Sequence, residues 1–198
     1  MEKLAEMGAQ IVISDDGLQH YAMERDFEIA VVDGTRRLGN ECVLPMGPLR
    51  EPPSRLKSVN AVVINGEASE NKEISMKLIP AAIVPVSNVG RIETAVSAQK
   101  GSRVAAMAGI GNPSRFFQTV RDMGFVIEQE IFMPDHAAYE AATIKKKLRY
   151  PGLPLVMTEK DAVKCHAFAE QDWFYIPVNA KLSCDLASLI SDKLGLHK

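Results

Sequence analysis

The chain is short of several things, and each shortage removes a class of function. It holds three cysteines, Cys42, Cys165 and Cys184, in 198 residues. They form no Cys-x-x-Cys pair and no even framework, so they build neither a zinc ribbon nor a disulfide-stapled scaffold, and reduced thiols are expected. A basic excess is missing: 23 Lys and Arg face 25 Asp and Glu, for a net charge of −2. That leaves no electrostatic footprint for nucleic acid. No apolar run reaches the roughly 18 residues that a membrane-crossing helix needs. No signal peptide is visible, so a soluble or peripheral protein is expected. Internal repeats and low-complexity tracts are absent. So is the phosphate-cradling string Gly-x-x-x-x-Gly-Lys-[Ser/Thr]. The nearest stretch, Gly34 to Asn40, has the glycine spacing without the lysine and hydroxyl and reads as a loop. What remains is an ordinary globular balance, 46% hydrophobic and 24% charged, in a length that suits one domain or two small ones.

The most informative stretch is Ala9–His20, Ala-Gln-Ile-Val-Ile-Ser-Asp-Asp-Gly-Leu-Gln-His. Ile11, Val12 and Ile13 form a β-branched run, which predicts a short strand buried on both faces, as in a parallel sheet. Asp15 and Asp16 follow, and Gly17 breaks the run. Ligands of open α/β sheets bind beyond the carboxyl ends of the strands. Adjacent like charges there invite a cation, and Mg²⁺ is held by one or two carboxylates together with substrate phosphates. A strand-terminal Asp does this in P-loop NTPases. A plain Ser-Asp-Asp-Gly turn uses the same residues with no ligand at all.

The rest of the chain reads as α/β. Met1–Gly8 resembles the last turns of a helix stopped at Gly8. Strands are expected at Glu28–Asp33 and Asn60–Asn65, both buried, with an exposed polar stretch over 67–77. Asp33 ends its strand, where it reaches a nucleotide site or caps the following loop. Residues 35–53 carry three arginines, several prolines and no period, a length that in a compact domain is functional or disordered. Arg50 in this loop offers a planar fork suited to phosphate. The prolines at 80 and 85 predict an edge or linker strand, and a domain boundary is expected near 80–100. Beyond it, strand 104–108, turn 109–113 and helix 114–123 resemble a dinucleotide fingerprint, but Ser114 stands at the third glycine position. A strand at 126–133, a helix over 139–149 and a strand ending in charge at 154–161 follow. Thr158 is a natural N-cap with Asp161 at the third helical position. The last strand is Trp173–Val178, and an amphipathic helix carries Leu186, Leu189, Ile190 and Leu194.

Five ordered strings then carry a resemblance. Asp-Asp-Gly-Leu-Gln-His (15–20), Leu-Pro-x-Gly-Pro-x-Arg-Glu (44–51), Ala-Gly-Ile-Gly-Asn-Pro (108–113), Asp-His (135–136) and Thr-Glu-Lys-Asp-Ala-Val-Lys (158–164) together resemble the tetraacyldisaccharide 4'-kinase family of the lipid A pathway. The resemblance implies the C-terminal part of such a kinase, without its phosphate-binding loop. The implied fold is the remainder of a P-loop-type parallel sheet domain (1–88) and a smaller α/β second domain (89–180) joined by a two-strand hinge. The C-terminal helix (181–198) is expected to return to the first domain. The implied reaction moves the γ-phosphoryl of ATP, with Mg²⁺, to the 4'-hydroxyl of an acylated glucosamine disaccharide 1-phosphate. It would take place at the cytoplasmic face of the bacterial inner membrane, with the enzyme held peripherally on the cytoplasmic membrane surface.

By the same resemblance Asp15 and Asp16 hold Mg²⁺, and Gln19 and His20 border the site. Arg50 meets a phosphate, and Glu51 orients Arg50 or touches the metal. His136 pairs with a carboxylate base that receives the sugar hydroxyl proton, and Lys160 contacts phosphate or substrate. Two rival readings share parts of this pattern: another P-loop enzyme such as a partitioning-type ATPase, and a non-catalytic α/β binding module.

Overall fold

The computed structural model describes residues 2–70, 72–88, 101–134 and 139–196. The chain divides into two units, Met1–Lys77 with Lys181–Lys198, and Leu78–Ala180.

In the first unit a short helix, α1 (Glu2–Glu6), ends before Gly8, whose φ of 83° only glycine adopts without cost. Strands β1 (Ile29–Asp33), β2 (Ala61–Asn65) and β3 (Glu73–Pro80) lie side by side and parallel. Beyond β3 lies β9 (Val178–Leu182), so the sheet order is β1-β2-β3-β9. The last helix, α5 (Leu186–Leu194), is capped by the Asp185 side chain, which accepts from Ser188 N at 3.1 Å. A small core forms where Ala61, Val63 and Ile74 meet Phe27, Ile29, Leu182 and Leu186.

Three expectations fail in this unit. Ile11, Val12 and Ile13 form no strand and are exposed, Ile13 at 90%. A β-branched run becomes a strand only when a neighbouring ladder takes its N–H and C=O groups, and among the described residues β1 pairs with β2 alone. β1 itself is therefore an edge, with Val31 exposed rather than buried on both faces. The stretch read as polar and exposed, 67–77, contains the first half of β3, where Ile74 is buried.

In the second unit a five-stranded sheet takes the order β4-β8-β7-β5-β6. Its members are β4 (Val84–Pro85), β5 (Arg103–Ala108), β6 (Val126–Phe132), β7 (Leu155–Thr158) and β8 (Trp173–Ile176). All neighbours are parallel except β4, which pairs antiparallel with β8 at the edge. Proline is tolerated there because no ladder bond is required of it. The stretches 80–87 and 174–179 thus meet inside this unit, while the chain passes between units within β3 and β9.

The central strands are apolar on both faces. Ala105, Met107, Leu155 and Met157 face one core with Ile144, Ala162 and Trp173. Val104, Ala106, Ala108 and Val156 face the other with Phe116, Phe117 and Val120. Helix α2 (Pro113–Asp122) covers the second core; α3 (Ala141–Lys147) and α4 (Glu159–Cys165) cover the first. Burial pushes the Cys165 thiol up to about 12, which leaves it unreactive.

Among the described residues Asp161 is the one fully buried carboxylate, 0% exposed. It accepts from Tyr139 Oη at 2.7 Å, Thr158 Oγ1 at 2.6 Å and Gly109 N at 3.0 Å. A Cβ on Gly109 would lie 1.9 Å from the Tyr139 hydroxyl. Gly109 therefore permits close packing, a structural reason for a glycine at this fingerprint-like turn.

Candidate functional site

The clustered site residues lie in the first unit, on two loops brought together from opposite ends of a 35-residue span. The first loop runs from Asp15 to Tyr21. Asp16 takes φ 51°, a left-handed conformation that Asp tolerates better than most residues. His20 N donates to Gly17 O at 3.0 Å, closing a turn. Arg25 then ties the turn from below, with Nη1 donating to Gly17 O at 2.7 Å and to Leu18 O and His20 O at 3.3 Å.

The second loop delivers Arg50 and Glu51. Leu44 N donates to Leu49 O at 2.9 Å and Leu49 N to Cys42 O at 3.2 Å, which folds 42–49 back on itself. Gly47 sits where a Cβ would fall 2.1 Å from Asn40 Oδ1 and 2.3 Å from Cys42 O. No other residue fits that approach. Pro53–Lys57 forms a 3₁₀ turn after Pro52, which sets Arg55 beside Glu51.

The loops meet through side chains. Gln19 Nε2 donates to Glu51 Oε1 at 2.8 Å. Arg50 Nη1 lies 3.4 Å from both Asp16 carboxylate oxygens and from Gln19 Oε1. The Asp16 and Arg50 side chains are 76% and 63% exposed. An ion pair of that length and exposure adds little to stability, so both groups remain available to a ligand. Glu51 differs. It accepts from Gln19, from the Tyr21 hydroxyl and from Arg55, whose Nε lies 3.3 Å away. The Tyr21 and Gln19 hydrogen bonds and the Arg55 guanidinium hold its carboxyl below the usual carboxylate range.

The site therefore gathers Asp15, Asp16, Gln19, His20, Arg50 and Glu51 on two adjoining loops. Among the described residues no three His, Cys, Asp or Glu side chains are grouped to hold a metal, so Asp15, Asp16 and Glu51 are no ready-made cage. Asp33 ends β1, and its Oδ1 accepts from Thr35 N and Arg36 N, both at 2.9 Å, capping the turn that follows. Lys160 lies exposed on α4, in the other unit. His136 lies outside the described residues. Sequence reasoning missed Tyr21, Arg25, Glu28 and Arg55. Their one visible signal was two oppositely charged residues, Arg25 and Glu28, three apart.

Comparison with known proteins identifies the family. The family model described as tetraacyldisaccharide-1-P 4'-kinase matches residues 1–195. The tetraacyldisaccharide 4'-kinase of Vibrio cholerae serotype O1 is 46% identical over 194 residues, covering 98% of this chain and 56% of that protein. That of Tolumonas auensis is 50% identical over 175 residues, covering 88% of this chain and 51% of that one. The crystal structure of the "apo" form of LpxK from Aquifex aeolicus in complex with ATP superposes with a TM-score of 0.66 at 23% identity, over 90% of this chain and 56% of that one. At that identity the likeness shows a shared fold. The chain spans about half the length of the curated relatives it matches. With the family model matched almost end to end and near-half identity to curated members, the chain belongs to the tetraacyldisaccharide-1-P 4'-kinase family.

Proposed function

We propose that this chain supplies the C-terminal part of a kinase that moves the γ-phosphoryl of ATP to the 4'-hydroxyl of an acylated glucosamine disaccharide 1-phosphate. The reaction belongs at the cytoplasmic face of the inner membrane. No described helix is long and apolar enough to cross a membrane. One observation carries the reading. The Asp15–His20 and Leu44–Glu51 strings, remote in sequence, join at Gln19–Glu51 and Asp16–Arg50.

Phosphoryl transfer asks a protein mainly to position groups and neutralise charge. Arg50 fits that need: its guanidinium is exposed and only loosely paired, so phosphate oxygens can take the place of Asp16. Asp15 and Asp16 are the residues that would hold Mg²⁺. Two exposed carboxylates suit an ion that keeps several waters and shares substrate phosphates. Mg²⁺, when bound, supplies charge neutralisation on those phosphates. Glu51 is occupied by three donors, so its part is to orient Gln19 rather than to ligate. Gln19 and His20 border the acceptor sugar. Asp33 shapes the turn at the end of β1, on the nucleotide side. Lys160 contributes a phosphate or substrate contact. His136 pairs with the carboxylate that takes the hydroxyl proton.

The test joins this chain in frame to the half of the Vibrio cholerae relative that it does not span, and follows labelled γ-phosphate. Label is expected on the glycolipid, and Asp15→Ala and Asp16→Ala should each lower kcat by about 10²-fold or more. Label released to water, with the lipid unlabelled, would reject the kinase in favour of a hydrolytic P-loop enzyme. Calorimetry of the chain alone with Mg-ATP should show weak or no binding, because the phosphate-cradling string is absent from it. A micromolar affinity would count against that account.

A further inference from the structure

Beneath the exposed tips of the site lies a half-buried run of charges, of which the proposed reaction uses only Glu51. Arg25 Nε pairs with Glu28 Oε1 at 2.9 Å. The same oxygen accepts from Arg55 Nη2 at 2.7 Å, and Arg55 Nε reaches Glu51 Oε2 at 3.3 Å. Glu51 Oε1 then accepts from Gln19 Nε2 at 2.8 Å. The four charged side chains of the run are only 14–19% exposed. Each end is anchored. Arg25 grips the carbonyls of Gly17, Leu18 and His20, while Arg55 Nη1 donates to Ser58 Oγ at 2.6 Å and Glu28 N to Asn60 Oδ1 at 2.8 Å.

Ion pairs withdrawn from water recover their desolvation cost only in part, so such a run is weak evidence for stability, whereas a fixed geometry is what it does provide. Here the geometry has a direction. An ionised carboxylate only accepts hydrogen bonds, and a carboxamide carries one accepting and one donating end. With Glu51 held ionised, the Gln19 nitrogen must turn inward to it. The Gln19 oxygen is left facing outward, on the side of Arg50.

We propose that Arg25, Glu28 and Arg55 are positioning residues that, through Glu51, lock the Gln19 carboxamide with its oxygen outward, so that the site reads a hydrogen-bond donor on the acceptor substrate. The donor is a hydroxyl or amide N–H of an aminosugar. The assignment of that donor rests on the kinase reading; the lock itself does not. A substrate analogue offering only an acceptor at this point is discriminated against, because two accepting oxygens would then face each other.

The lock is tested on the full chain by NMR of the Gln19 side-chain amide, identified by its disappearance in Gln19→Glu. In the wild type its two protons should be well separated in shift and slow to exchange, one of them pointing at a carboxylate. Glu28→Gln, three contacts away, and Arg55→Met should move the pair towards the position of a free carboxamide and speed its exchange. Backbone resonances of β5 and β7, in the other unit, should stay unchanged and so report folding. If Arg55→Met does not fold, the near-isosteric Glu28→Gln decides alone. Gln19 protons indistinguishable from wild type in a folded Glu28→Gln would overturn the proposal. No nucleotide is needed, so this result stands apart from the phosphoryl-transfer assay. A lock observed alongside failed transfer would reject the kinase reading only.

Discussion

Glu73 shows how much one side chain can hold. Arg37 grips it with two nitrogens, at 2.7 and 3.1 Å, while Ser69 N and Glu70 N donate at 2.9 and 3.2 Å. The Arg37 guanidinium first, then these backbone amides, bring its carboxyl from an ordinary 4.5 down to about 2. A carboxyl whose folded value is depressed contributes stability that is fully present above its unfolded value and lost as pH falls through the folded one. Acid unfolding should therefore steepen between about pH 4.5 and 2. Glu73→Gln should flatten that window and cost roughly 1–2 kcal/mol at neutral pH after allowance for the partly exposed arginine. Denaturation followed by circular dichroism across pH 2–7 checks both. Neither Arg37–Glu73 nor Arg55–Glu28 was legible beforehand. Their partners are 36 and 27 positions apart, and no local period links them. By contrast Asp15 and Asp16 stood out because two carboxylates directly follow an apolar run, and Gln19, Arg50 and Glu51 because they fall in strings that resemble the kinase family.

Among elements, the turn that delivers Arg50 depends on backbone space. A Cβ at residue 47 would meet a side chain, Asn40 Oδ1, and a backbone oxygen, that of Cys42. The side chain can move; the carbonyl is tied to Leu49 N. Gly47→Ala should therefore destabilise the chain by about 1–3 kcal/mol in urea denaturation. Adding Asn40→Ala should recover only part of the loss. Full recovery would show that the carbonyl contact is unimportant. The strands reveal a matching contrast in legibility. β2, β5, β7 and β8 could be read because a strand covered on both faces is a continuous apolar run. β3 was passed over because it is covered unevenly. Ile74 is buried while Lys77, Leu78 and Ile79 are exposed, so the signal is a short alternation rather than a run. β9 was passed over because almost all of it is exposed and nothing in Val178–Leu182 announces its neighbour. Helix α4 was read correctly from Thr158 and Asp161, but the acid's second duty, receiving Tyr139 and Gly109, depends on contacts 22 and 52 residues away.

At the scale of the whole chain, burial is shared unequally. The second unit has two cores, one on each face of its sheet. Among the described residues the first has one small core, and Leu4, Met7, Ile11, Val12, Ile13 and Val31 are exposed. The run Ile11–Ile13 has the composition of a buried strand, but composition records what a segment suits and burial requires a neighbour to cover it. That distinction yields a paired test. Ile64, on β2, is 0% exposed, whereas Ile13 is 90% exposed. Ile64→Ala should cost about 2–5 kcal/mol through lost transfer energy and a residual cavity. Ile13→Ser should fall within about 0.5 kcal/mol of wild type. Hydrogen exchange on the same chain should rank the units. Amides of β5 and β7, central in the larger sheet, should be slowest, and those of β1 and of residues 9–21 fastest. If Ile13→Ser destabilised the chain as much as Ile64→Ala, or if residues 9–13 were protected like β5, the run would be covered after all. The edge of β1 would then be a paired strand.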